Sequence, residues 1–315
     1  MDINTQIQIL RTFEPQIDEI YCIVNKQFML LDKLQNMDCD EFRMYAQLIM
    51  LPKLYRYYHN KQAESTDANG QKVNYCIQAL RDNTVFMASP TTFDDVYDSD
   101  INIEYADYER LHLLEYCKRC ELSIEDTMST QELRNALIQA IVETYHSTGN
   151  VISIFKRLPI SEIENLSNKV FAEKLMYGLL KGYDIGAIVA DIINSSYQKY
   201  SQRLLNTFRA TCFSTTPYSQ LMWGGPYGNK HKEFCVEYTM LHNDPRYSKL
   251  LLNLFPMIYC KVRPDMSARL EKFENSELTD EGLWDIYFHG ALRKSIDWAY
   301  QDEWRLLSVD KEKLA

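Results

Sequence analysis

The side chains best suited to chemistry fall in two stretches. In RATCFSTTPYSQLMWGGPYGNKHKEFCVEY, Arg209 to Tyr238, a strand ends at Ser214 and Thr215 and runs into Met222, Trp223, Gly224, Gly225, Pro226 and Tyr227, then His231 and a second strand. Hydroxyls at a strand end can meet a ligand, and aromatics flanking glycines give a stacking surface beside backbone that can be approached closely. The second stretch is KSIDWAYQDEWRLL, with Lys294, Trp298, Glu303 and Arg305. In a strand starting near Glu303, residues 303 and 305 point to one face, and Arg305 would hold the Glu303 carboxylate ionised and oriented if that face lines a pocket.

Each feature also has a structural reading. Ser214, Thr215 and Thr216 before Pro217 fit a turn or cap; Trp223 and Tyr227 fit core anchors; Glu303 and Arg305 fit an ion pair at a sheet edge. His231 lies between Lys230 and Lys232, which favours a solvated imidazole. Asp94, Asp95, Asp98 and Asp100 offer oxygen ligands, and Asp94, Asp95 and Asp98 with Glu303 would make a metal-dependent phosphodiester or nucleotide hydrolase site. Their spacing lacks the glycine turn and terminal Glu of a calcium loop, so they read as turn and cap residues and no metal is expected. Cys117 and Cys120 form an isolated CxxC inside a helical pattern. The P-loop, GxGxxG, GxSxG and HExxH patterns do not occur.

The elements that must position these residues are legible in outline. Apolar residues at helical spacing (Ile17, Ile20, Tyr21, Val24, Phe28, Leu31, Leu34) predict a helix over 6–36, and 40–50 predicts another. Strands are predicted at 54–59 (LYRYYH), 84–89 (TVFMAS), 210–214, 233–238, 257–262 and 304–309, and helices at 74–81 and about 280–298. From Tyr105 to about Phe208 the pattern is helical, with LHLLEYCKRC, QELRNALIQAIVETYH, EKLMYGLLKGY and IGAIVADIINSSYQKYSQRLLNTF as the clearest runs. The fold class is therefore α+β: a discontinuous mixed or antiparallel sheet core at 51–104 and 209–315, an N-terminal helical arm at 1–50, and a large helical insertion at 105–208.

At 315 residues, 46% hydrophobic and 25% charged, the chain has the composition of an ordered globular protein. A net charge of -10 disfavours non-specific adhesion to nucleic acid or anionic membrane. The start MDINTQIQIL lacks signal-peptide character, and no run reaches the roughly 18 apolar residues of a membrane span, so a cytoplasmic location is expected. The eight cysteines lie in apolar surroundings and read as free thiols.

In order along the chain, FMASPTTFDDVYD, then CFSTT with LMWGGPYGNKHKEFCVEY, then KSIDWAYQDEWRLL resemble a large, mostly bacterial family known chiefly as a domain of unknown function. Its marks are a Phe-Asn-Asp-Pro-Phe-Asp-like turn, Cys-Phe-Ser with Met-Trp-x-x-Tyr, and a final Trp with Glu-x-Glu-x-Arg. The likeness covers about 51–100 and 209–309. Asp94 and Val96 depart from the turn, Pro226 is an extra residue, Glu233 replaces a Gly, and Gln301 takes the place of the first acid of the closing pair.

The succession of an Arg or Tyr strand, a Ser strand and a late Glu is similar to the sparse signature of ADP-ribosyltransferase-like proteins. That resemblance implies NAD as substrate, cleaved by an ADP-ribosyltransferase or NAD glycohydrolase, in the setting of bacterial defence or a toxin effector. It implies Glu303, Ser214 and Arg56 as catalytic residues, with Glu303 the acid, Ser214 positioning the ribose or Glu303, and Arg56 facing the phosphates or ribose. Trp223 or Tyr227 would stack on the cofactor, with Tyr57 in reserve and Arg305 beside them. The acceptor, protein or nucleic acid, stays open, as does assembly through the helical regions. A non-enzymatic interaction protein is the remaining alternative.

Overall fold

The computed structural model describes residues 5–6, 8–9, 12, 21–58, 65–66, 70, 72–93, 95, 98–99, 102–149, 185–225, 227–242, 244–275 and 280–309. Helices occur together with mixed and antiparallel sheets, so the fold is α+β. The chain divides into two compact units, one of residues 1–100, 203–264 and 287–315, the other of 101–202 and 265–286. No described helix is long and apolar enough to cross a membrane.

The first unit holds the strands β1 (Tyr21–Val24), β2 (Gln27–Leu30), β3 (Lys53–Tyr58), β4 (Ser65–Thr66), β5 (Lys72–Val73), β6 (Phe208–Ser214), β7 (Phe234–Thr239), β8 (Leu254–Pro256), β9 (Ile258–Cys260), β10 (Arg293–Ser295) and β11 (Glu303–Val309). A four-stranded sheet has the order β10-β9-β1-β2, and a five-stranded sheet the order β7-β3-β6-β11-β8. In the larger sheet every neighbouring pair is antiparallel; in the smaller, β10 and β9 run parallel. Met257 lies between β8 and β9, its N–H donating to the Glu303 carbonyl at 2.9 Å; the strand predicted at 257–262 is β9 alone, and β8, which precedes it, belongs to the other sheet.

The β1–β2 hairpin corrects residues 21–30 of the helix expected over 6–36, whereas Leu31–Gln35 is helical as expected. Val24, Phe28 and Leu31 satisfy helical spacing, but Asn25 and Lys26 take left-handed φ values of 47° and 63°, the backbone of a two-residue turn that reverses a strand. β1 then pairs with β2 on one side and β9 on the other, burying Cys22, Ile23 and Val24. Ile17 and Ile20 lie outside the described residues. Farther on, Cys39–Ile49 is helical as expected, with Asp38 and Glu41 forming a reciprocal cap, and Phe42 packs against Phe288 and Phe255 at ring separations of 4.6 and 6.2 Å.

Two further expectations change. Residues 84–89 form no strand; Ala88 alone bridges to Ala210, with N–H to O distances of 2.8 and 2.9 Å in the two directions. The helix expected to about 298 ends at Ala291, and β10 and a 3-10 turn, Ile296–Gln301, follow. Ser295 accepts the Asp297 N–H at the start of that turn, and Asp302, left-handed at φ 46°, ends it and sends the chain into β11.

In the second unit, Tyr105–Arg119 and Thr130–Thr148 pack together around Leu113, Cys117, Leu133, Leu137 and Ile141. Ser129 and Glu132 form a capping box, and Gly149 at φ 67° ends the second helix, where a side chain would be strained. Ser267 accepts the Glu104 N–H and donates to its carbonyl, both at 3.1 Å, fastening Ser267–Asn275 to the first helix. The run EKLMYGLLKGY at 173–183 lies outside the described residues.

Candidate functional site

In the larger sheet, β6 and β11 are paired along their whole length, whereas β3, paired with β7 from Lys53 to Tyr58, meets β6 on its other edge at the Tyr55–Ser214 pair alone. A cleft of about 230 Å³ lies where they part. The segment around Phe86 and Ala88 borders it, for the Phe86 carbonyl accepts from Arg56 Nη1 at 3.3 Å and from the Thr211 hydroxyl. Arg56, Tyr57, Ser214, Tyr227, Glu303 and Arg305 all line this cleft.

Its floor is a buried quartet of charges. Arg305, fully buried on β11, donates from Nη1 and Nη2 to the two oxygens of Asp98 at 2.6 and 2.5 Å, and from Nε to Glu303 Oε1 at 2.6 Å. Lys294 on β10 donates to Glu303 Oε2 at 3.2 Å and to Gln301 Oε1 at 2.8 Å, and lies 3.2 Å from Asp98 Oδ2. Two cations thus meet two carboxylates, which is how charges out of reach of water are tolerated. Alternation along β11 places Glu303 and Arg305 on one face, as the sequence predicts, and the register sets them opposite Ser214 and Cys212.

This arrangement sets the protonation states. Burial works to raise the Asp98 carboxyl, but Arg305 and then Lys294 outweigh it and hold the group down to about 2. Burial likewise opposes ionisation of Glu303, and Arg305 followed by Lys294 bring its carboxyl below the ordinary range. The Cys212 thiol goes the other way, pushed up to about 12 by burial and then by the Glu303 carboxylate, so it stays protonated at neutral pH and is no nucleophile.

The remaining nominated side chains occupy the walls. Ser214 is buried, donates to the Gln301 carbonyl at 2.8 Å and accepts the Thr216 N–H at 3.4 Å, so its hydroxyl fixes the approach to Glu303. Arg56 donates to the Thr211 hydroxyl at 3.0 Å and lies 5.0 Å over the Tyr58 ring. Tyr57 donates to the Thr216 carbonyl at 3.0 Å, and Tyr227 accepts from Gln301 Nε2 at 3.0 Å. Trp223 is not on the cleft surface: its Nε1–H donates to the Pro217 carbonyl at 2.6 Å, its ring meets Tyr57 edge-on at 5.1 Å, and His231 stacks over it at 6.0 Å. No family model, no curated protein and no solved structure matches this chain.

Several cleft residues had no role assigned by the sequence. Lys294 and Gln301 complete the floor, while Phe93 and Trp298 cover it, Phe93 5.0 Å from the Arg305 guanidinium and Trp298 5.2 Å from the Lys294 ammonium. The alternation that paired Glu303 with Arg305 could not show Lys294, which arrives from the other sheet. Asp98, nominated as a metal ligand, is the bidentate partner of Arg305; Asp95 lines the cleft, while Asp94, Val96, Asp100 and Pro226 lie outside the described residues.

Proposed function

We propose that the cleft binds a nicotinamide dinucleotide of the NAD class and breaks its bond between nicotinamide and ribose, passing ADP-ribose to a macromolecular acceptor or to water. The observation that carries this reading is the convergence of Arg56, Ser214 and Glu303, from the neighbouring strands β3, β6 and β11, on one cleft. The C1′–N bond breaks, its electron pair leaves with nicotinamide, which departs neutral, and the ribose takes on oxocarbenium character. An acceptor oxygen or nitrogen then bonds to C1′ and loses its proton to solvent.

Each side chain has a part in that sequence. The Glu303 carboxylate, ionised at neutral pH, stabilises the positive charge that grows on the ribose. Among the described residues Arg56 is the cleft-lining cation with no carboxylate partner, which suits it to a phosphate. Phe93, Tyr227 and Trp298 offer ring faces to the nicotinamide. The volume, about 230 Å³, is below the roughly 300–1,000 Å³ of sites that enclose a drug-sized ligand, so the nicotinamide and ribose enter and the adenylate end stays at the mouth. A bacterial cytoplasmic effector in defence, assembling through its helices, is the setting that agrees with this chemistry.

Purified protein incubated with NAD is expected to release nicotinamide and, in cell extract, to transfer label to an acceptor. Glu303→Gln should reduce release to background; Arg56→Lys, which leaves the buried quartet intact, should raise KM more than it lowers kcat. Wild-type protein that neither releases nicotinamide nor gains thermal stability from NAD would refute the reading.

A further inference from the structure

We propose that Lys294 is a positioning residue for Glu303, fixing the plane of its carboxylate from the opposite sheet and keeping it a charge stabiliser, so that the acceptor reaches the ribose without a protein base. The catalytic half of this inference rests on the NAD reading; the geometric half does not. Each Glu303 oxygen is held by a different cation, Oε1 by Arg305 Nε at 2.6 Å and Oε2 by Lys294 Nζ at 3.2 Å. Lys294 has three N–H donors and three oxygens within reach, those of Glu303, Gln301 and Asp98, so its ammonium has one arrangement that satisfies every proton. It is 6% exposed and arrives from β10, a strand of the four-stranded sheet, whereas Glu303 and Arg305 belong to the five-stranded one.

Position and charge have separate consequences. Held at both oxygens, the carboxylate cannot rotate, and misplacement of a reacting group by about 1 Å can cost on the order of 100-fold in rate. The groups facing Glu303 are Lys294 on β10, Arg305 on β11, Asp98 from its loop, Cys212 on β6 and Tyr259 on β9, whose hydroxyl accepts the Glu303 N–H at 2.8 Å. Lys294 and Arg305 depress the carboxyl and Asp98 raises it, with Lys294 outweighing Asp98. Removing the ammonium therefore raises the pH at which Glu303 takes a proton. Because the ionised form is the useful one, the acid limb of activity moves to higher pH as well.

The test follows the Glu303 carboxyl directly, by carbon NMR of glutamate-labelled protein with Glu303→Gln for assignment, alongside nicotinamide release across pH. In Lys294→Met the Glu303 signal should titrate at higher pH than in wild type, and kcat should fall on the order of 100-fold with little change in KM. Lys294→Arg, which keeps the charge, should restore the titration. If Lys294→Met does not fold, Asp98→Asn with Lys294→Met keeps the quartet neutral and should shift the titration in the same direction. A Glu303 titration unchanged in whichever of these two variants folds overturns the proposal, whether or not NAD is cleaved. A shifted titration in a protein whose wild type cleaves no NAD supports the positioning role and refutes the NAD reading alone.

Discussion

Trp223 and Trp298 stand in two segments beside the same cleft, 220–231 and 294–305, yet only Trp298 faces it. Around Trp223 the side chains serve the backbone: the indole N–H ties Pro217, His231 stacks on the ring, and the Trp223 carbonyl accepts the His231 N–H at 3.1 Å. Asn229, Lys230 and His231 are consecutive left-handed residues at φ 44°, 58° and 62°, a conformation that costs roughly 1–2 kcal/mol per residue and is held by those contacts. Around Trp298 the backbone serves the side chains: a short strand, a 3-10 turn and a left-handed Asp302 deliver Lys294, Gln301, Glu303 and Arg305 to one floor. One segment shapes a wall and the other carries the charge, so the two should fail differently when altered.

The largest expected effect is on the charged floor. Arg305→Met leaves Asp98 and Glu303 facing Lys294 alone in a floor that is largely buried, and losing one partner of a buried ion pair costs about 3–5 kcal/mol. Chemical denaturation should show that loss in the midpoint with little change in slope. A loss under about 1 kcal/mol, the range of solvated pairs, would mean that water reaches the quartet and that the contrast between the segments is overdrawn.

A smaller effect, of a different kind, is expected in the wall. A Cβ at Gly228 would lie 2.4 Å from both Cα and O of Trp223, and backbone cannot yield as a flexible side chain can. Gly228→Ala should therefore cost about 1–3 kcal/mol, the range of overpacking, and displace Tyr227 from the cleft. Gly224→Ala meets nothing within 4 Å and serves as its control. Equal melting temperatures for the two variants would show that the wall tolerates rearrangement.

How much of this was legible in sequence depended on whether the deciding contact was local. Strand alternation sufficed to set Glu303 beside Arg305, and the spaced motifs sufficed to nominate Arg56 and Ser214, all of which line the cleft. The contact of Lys294 with Glu303 escaped because the two stand on strands of different sheets, and the clamp of Asp98 on Arg305 because an aspartate in a polar run looks the same whether it caps a turn or clamps a distant arginine. The β1–β2 hairpin escaped because Val24, Phe28 and Leu31 fit a helix equally well; only the pairing of β1 with β9, far along the chain, decides between them.

The smallest effect tests the role reassigned to Trp223. Trp223→Phe keeps a ring against Tyr57 and His231 and removes the 2.6 Å hydrogen bond to the Pro217 carbonyl, a loss of about 1 kcal/mol. Since its ring is not on the cleft surface, NAD affinity should be unchanged, whereas Trp298→Ala should weaken it while the Lys294 ammonium loses its 5.2 Å ring contact. Thermal melting with and without NAD separates the two, because a wall residue moves the baseline stability and a ligand-facing residue moves the ligand-induced increment. If Trp223→Phe abolished the increment and left the baseline untouched, the division of labour between the segments would have to be reversed.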